Sequence, residues 1–118
     1  MSKTLTDMVK EVVEVNQEKG WYDQPVSFGE AMALLHSEIS EALEAYRIWG
    51  LEDGTAGSFI ESGGNPDAKP DGIGSEFADV LIRLLDDCNR FGVDLEAEYE
   101  RKMAYNKTRA FRHGGKKL

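Results

Sequence analysis

The sequence holds a single cysteine, Cys88, so no disulfide can form within the chain. With Leu84, Leu85 and Phe91 nearby, its thiol reads as a small buried hydrophobe rather than a nucleophile. Prolines number only three, at Pro25, Pro66 and Pro70, and none interrupts a helical pattern. No strand-like alternation of useful length occurs, nor a solenoid repeat, nor a low-complexity tract. No apolar run approaches the length of a membrane span, and no signal-peptide pattern opens the sequence. No membrane contact is therefore expected, and a cytoplasmic protein is. Positive charge is also in deficit, with 14 Lys and Arg against 22 Asp and Glu for a net charge of −8. That balance argues against a nucleic-acid partner. A polyphosphate can still bind if a metal ion supplies the positive charge.

What remains suits one domain over 1–118. Hydrophobic residues make up 41% and charged residues 31%, which is globular rather than disordered. At 118 residues the core cannot be generous.

Helical periodicity dominates. Leu5, Met8, Val9, Val12 and Val13 predict an amphipathic helix over 4–19, ended by Gly20. The aromatic linker Trp21-Tyr22 follows. Ser27 and Glu30 form a capping-box pattern that predicts a second helix running to Trp49. Residues 50–72 lose all hydrophobic period and are rich in glycine, which predicts a long loop with Phe59 and Ile60 as its anchor. A third helix is predicted over 74–91. A fourth, capped by Asp94, is predicted over 95–108 with Leu95, Tyr99, Met103 and Asn106 on one side. The segment 109–118 is a basic tail. The fold class is all-α, a four-helix bundle.

The chemistry-bearing feature is a pair of acidic motifs, Glu38-x-x-Glu41 on the second helix and Glu76-x-x-Asp79 on the third. Residues three apart share a helix face, with Cβ atoms about 5–6 Å apart. Projection at about 100° per residue places Glu38 inside the apolar arc of Ala31, Leu34, Leu35, Ile39, Ala42 and Tyr46, with Glu41 at its edge. A glutamate among core residues needs compensation. The third helix presents Ile73, Phe77, Val80, Leu81, Leu84, Leu85 and Cys88 as its apolar face. Its polar strip of Glu76, Asp79, Arg83, Asp86 and Asp87 reads alone as a solvated face, with Asp79 and Arg83 spaced as an i,i+4 pair. If the two helices pack side by side, four carboxylates converge. They then require either raised pKa values or a cation. An all-oxygen donor set suits Mg²⁺, Mn²⁺ or Ca²⁺, and His36 points to the polar side of its helix. Glu11 and Glu14 share the same spacing but sit opposite an apolar face, as plain solvated charge.

Three blocks in this order, Leu34–Glu44, Glu76–Leu84 and Lys102–Arg109, resemble the MazG-like nucleoside triphosphate pyrophosphohydrolases, the all-α group that includes dCTP and dUTP pyrophosphatases. The likeness covers most of the chain. Two departures stand out: Ser37 occupies the place of the signature's first glutamate, and the spacer from Glu41 to Glu76 is long. The resemblance implies that Glu38, Glu41, Glu76 and Asp79 hold Mg²⁺, with Mn²⁺ a possible substitute. It implies water attack at the α-phosphorus of a nucleoside triphosphate, with Glu38 or Glu41 accepting the proton. Lys102, Asn106 and Arg109 would contact the phosphates. It also implies a homodimer or homotetramer with sites completed by a neighbouring subunit. Trp21, Tyr22 and Trp49 are candidates for stacking on the base, Trp21 first. Two other expectations compete: a phosphoribosyl-ATP pyrophosphohydrolase with the same metal chemistry, and a non-catalytic helical module that binds a protein partner.

Overall fold

A computed structural model describes residues 2–51 and 70–109. The expected anchor at Phe59 and Ile60, most of the 50–72 loop and the tail beyond Arg109 lie outside the described residues. The order is α1 (Leu5–Glu18), α2 (Phe28–Trp49), α3 (Ile73–Phe91) and α4 (Leu95–Lys107). The protein is all-helical among the described residues, and none of these helices is long and apolar enough to cross a membrane.

Local chemistry sets the ends. Thr4 caps α1 in a capping box with Asp7, whose carboxylate accepts the Thr4 N–H. The Thr4 backbone N–H first, and then its hydroxyl, hold the Asp7 carboxyl below its ordinary range. Ser27 accepts the N–H of Glu30 at 3.2 Å, as the sequence predicts, but the reciprocal bond differs. The Glu30 carboxylate takes the Ser27 hydroxyl proton rather than the backbone N–H. Asp94 caps α4 through the N–H of Ala97 at 3.1 Å. Gly92, at φ 70°, ends α3 in the left-handed conformation that a Cβ disfavours. Gly20, at φ 76°, does the same after α1 and turns the chain so that the Trp21 N–H donates to the Asn16 carbonyl.

The helices pack in the spatial sequence α2–α3–α1–α4, with α2 against α3 the most extensive pairing. The buried apolar side chains are Ala31, Ala42 and Ala45 of α2 with Ile73, Leu85 and Cys88 of α3. Cys88 is thus the buried hydrophobe that its neighbours predict. Burial, then the neighbouring Asp87 charge, pushes its thiol up from the ordinary range.

Two expectations need correction. The wide apolar arc of α2 is buried only where it is small. The three alanines let α3 approach closely, while Leu34, Ile39 and Tyr46 stay largely exposed, as do Phe77 and Leu81 of α3. And α4 contributes no buried residue, so among the described residues the buried apolar side chains come from α2 and α3, with Asn16 of α1 beside them.

Candidate metal centre and adjoining cleft

The α2–α3 pairing determines the geometry of the site. Glu38 on α2 meets Glu76 and Asp79 on α3, each half-buried, and one oxygen of each lies within 4.8 Å of the others. Small residues explain the approach: Ala31, Ala42 and Ala45 line the contact face, so the two backbones come near enough for carboxylates to meet across it. Glu41 lies outside this group and is exposed.

Arg83 does not pair with Asp79 one turn behind it. It crosses to α2 and donates Nε and Nη2 to Glu38 Oε1, at 3.2 and 3.1 Å. The guanidinium bonded to Glu38 therefore sits at a cluster of three carboxylates. The donor set is all oxygen, of both carboxylate lengths, and drawn from two helices. It fits a hard divalent cation by ligand chemistry.

A cleft of about 420 Å³ runs from this cluster toward the start of the linker, along Glu38 and Asp79 at one end and Trp21 and Arg90 at the other. Leu34, Val26 and Ile82 supply apolar wall. Trp21, expected as a stacking residue, borders the cleft and is 63% exposed. Tyr22 instead turns inward, and Trp49 does not line the cleft. Nor do Lys102, Asn106 and Arg109, which are exposed on or just after α4. The Arg109 guanidinium lies over the Tyr105 ring at 5.5 Å.

The end of the polar strip on α3 is not solvated. Asp86 is 9% exposed and Asp87 7%. Asp86 accepts from Asn16 Nδ2 at 2.9 Å, from the Tyr22 hydroxyl, and from Arg90 Nε at 2.8 Å. Arg90 also donates to the Trp21 carbonyl at 2.8 Å and stacks over the Tyr22 ring at 4.0 Å. Burial alone would raise the Asp86 carboxyl, but the bonds from Tyr22, Arg90 and Asn16 outweigh it and hold the group below its ordinary range. Tyr22 shifts upward, through burial first and its bond to Asp86 second. Asp87 has no such donors. Its Oδ2 is buried without a hydrogen-bond partner, and burial with the adjacent Asp86 charge pushes its carboxyl up.

Sequence reasoning missed this network. Its one signal is Asn16, a polar residue that interrupts the run of Val12, Val13 and Val15 on α1 and is buried.

Comparison with known proteins returns no match among family models, curated proteins or solved structures.

Proposed function

We propose that the protein is a Mg²⁺-dependent, MazG-like nucleoside triphosphate pyrophosphohydrolase. It would convert a ribo- or deoxyribonucleoside triphosphate to the monophosphate and pyrophosphate. The observation that carries this reading is the meeting of Glu38, Glu76 and Asp79 within 4.8 Å beside a cleft of nucleotide-binding size. Carboxylates held this close repel one another, and a divalent cation would offset that repulsion.

Glu38, Glu76 and Asp79 would hold the cation, and Glu41 would join them by rotation of its exposed side chain from the same helix face. When bound, such an ion neutralises phosphate oxygens and makes water a better nucleophile. The chain's own part is to aim that water at the α-phosphorus and take its proton on a glutamate of the Glu38–Glu41 pair. The new bond is from water oxygen to the α-phosphorus. The bond broken joins that phosphorus to the bridging oxygen, and pyrophosphate leaves.

The phosphate contacts assigned to Lys102, Asn106 and Arg109 need a second copy in this reading. Within one chain α4 packs chiefly on α1, and none of the three residues lines the cleft. The exposed Ile39, Leu43, Phe77 and Leu81 offer apolar surface for that association. The same surface favours one rival reading, a non-catalytic module whose apolar faces bind another protein.

The test is pyrophosphate release from a panel of triphosphates, including phosphoribosyl-ATP, with Mg²⁺. The expected result is hydrolysis that Glu38→Gln abolishes. No Mg²⁺-dependent release from any member sinks the enzyme reading, and full activity in Glu38→Gln sinks the metal assignment.

A further inference from the structure

Two adjacent aspartates at the far end of the cleft differ in one respect. Asp86 is saturated by three donors, from Asn16, Tyr22 and Arg90. Asp87 is 7% exposed and its buried Oδ2 has no donor. Buried acceptors are nearly always paired, and an ionised carboxylate can only accept. The cations bordering the same cleft are committed elsewhere. Arg90 is held by Asp86 and the Trp21 carbonyl, and Arg83 by Glu38. Among the described residues, no side chain donates to Oδ2.

Asp87 borders the same cleft as Glu38, Asp79 and Trp21. Eight residues separate Asp79 from Asp87 on one helix, about 12 Å of axis. A ligand with phosphates at the carboxylate cluster would extend its other end toward Asp87. Trp21, on the same cleft and more than half exposed, offers a flat face to a planar ring.

We propose that Asp87 reads an amino group, so that the cleft takes a nucleobase with an exocyclic amine (cytosine, adenine or guanine) in preference to uracil or thymine. The amine donates an N–H to the Asp87 carboxylate, whose two oxygens exchange places by a turn about χ2. Uracil and thymine place carbonyl oxygens where the others carry amines, and their one ring N–H lies between two such oxygens. Turned toward a carboxylate, those oxygens meet lone pairs with lone pairs. This inference rests on the pyrophosphohydrolase reading only for the direction in which the ligand lies.

The experiment is calorimetric titration of the full chain with cytidine and uridine without metal, and with their 5′-monophosphates in Mg²⁺. Cytidine and its monophosphate should bind about ten- to hundredfold more tightly than the uracil pair, the range of one hydrogen bond to a charged group. Asp87→Ala should erase the preference. Asp87→Asn keeps the side-chain volume should the alanine variant not fold. Because its amide can also donate, it should erase or reverse the preference. Equal binding of the two bases, no binding of any of these ligands, or a preference that survives in the variants would overturn the proposal and leave Asp87 a structural carboxylate. Base preference without triphosphate hydrolysis would sink the hydrolase reading and leave this site standing. Hydrolysis without base preference would do the reverse.

Discussion

Arg83 and Glu38 form an ion pair across the α2–α3 interface, with two guanidinium nitrogens on one carboxylate oxygen. That oxygen belongs to the residue which also meets Glu76 and Asp79. The arginine is thus the counter-ion of Glu38, and an added divalent cation must compete with it for that carboxylate. Arg83→Met should lower the metal-free melting temperature, because three carboxylates then face one another with less compensation. A loss of about 1–3 kcal/mol is expected for a pair of intermediate burial. The same change should enlarge the stabilisation by Mg²⁺ or Mn²⁺, since a ligand that binds the folded state stabilises it by an amount that rises with the logarithm of its affinity. Thermal melts across a cation titration measure both. An unchanged cation response would mean that Arg83 does not compete at this site.

Glu38 and Glu41 share a helix face yet should fail differently when replaced. Glu38 is tied to Arg83 in the metal-free protein, whereas Glu41 is exposed and outside the cluster. Glu38→Gln should therefore lower both metal-free stability and cation binding. Glu41→Gln should leave metal-free stability within about 0.5 kcal/mol, as for most surface changes, and weaken only cation binding. Melts with and without Mg²⁺ separate the two. A cation response in Glu41→Gln equal to that of the wild type would remove Glu41 from the ligand set.

How far the sequence disclosed this arrangement depends on periodicity. The α3 span expected over 74–91 is observed as Ile73–Phe91, and Gly20, Gly50 and Gly92 end their helices at positive φ. Glu38 stood out because a helical projection puts it among apolar residues, and it is half-buried against α3. Arg83 was read as partner to Asp79 because spacing within one helix is all a sequence displays, and its true partner lies 45 positions away. Asp86 and Asp87 were read as solvated for a related reason. Asn16 and the aperiodic Trp21–Tyr22 linker close over Asp86 and its partner Arg90, and no repeat predicts where a linker folds back. Periodicity points the large apolar residues of α2 inward, but its fully buried residues are Ala31, Ala42 and Ala45.

The two aspartates at the linker should give opposite pH signatures. Asp86 has a lowered carboxyl in the folded state, so it contributes stability above the ordinary aspartate range and loses it as pH falls through its folded value. Asp86→Ala should cost about 3–5 kcal/mol at neutral pH, as one member of a largely buried ion pair, and less in acid. Asp87 is raised, so its contribution is full below the ordinary value of about 3.9 and is lost as pH rises through its folded value. Asp87→Asn should therefore gain on the wild type as pH rises from about 4 toward 7. Denaturant melts across that window check both signs. Parallel curves for the Asn variant and the wild type would mean that Asp87 titrates as it does unfolded.

The thin core implies a measurable assembly. Phe77 is 64% exposed, Ile39 56% and Leu43 51%, whereas the buried apolar set of α2 is alanine alone. Each large apolar side chain left in water forgoes about 1.5–3 kcal/mol that burial would supply. Sedimentation should show a dimer or larger species. Phe77→Ser, which removes apolar surface from the exposed face without adding a charge beside Glu76, should shift it toward monomer and lower the melting temperature. If the phosphate contacts come from the neighbour, that variant should lose triphosphate hydrolysis more than cation binding, because Glu38, Glu76 and Asp79 all lie in one chain. A monomeric wild type with full hydrolysis would show that no second copy is needed, and would return Lys102, Asn106 and Arg109 to the role of solvated charge at the end of a surface helix.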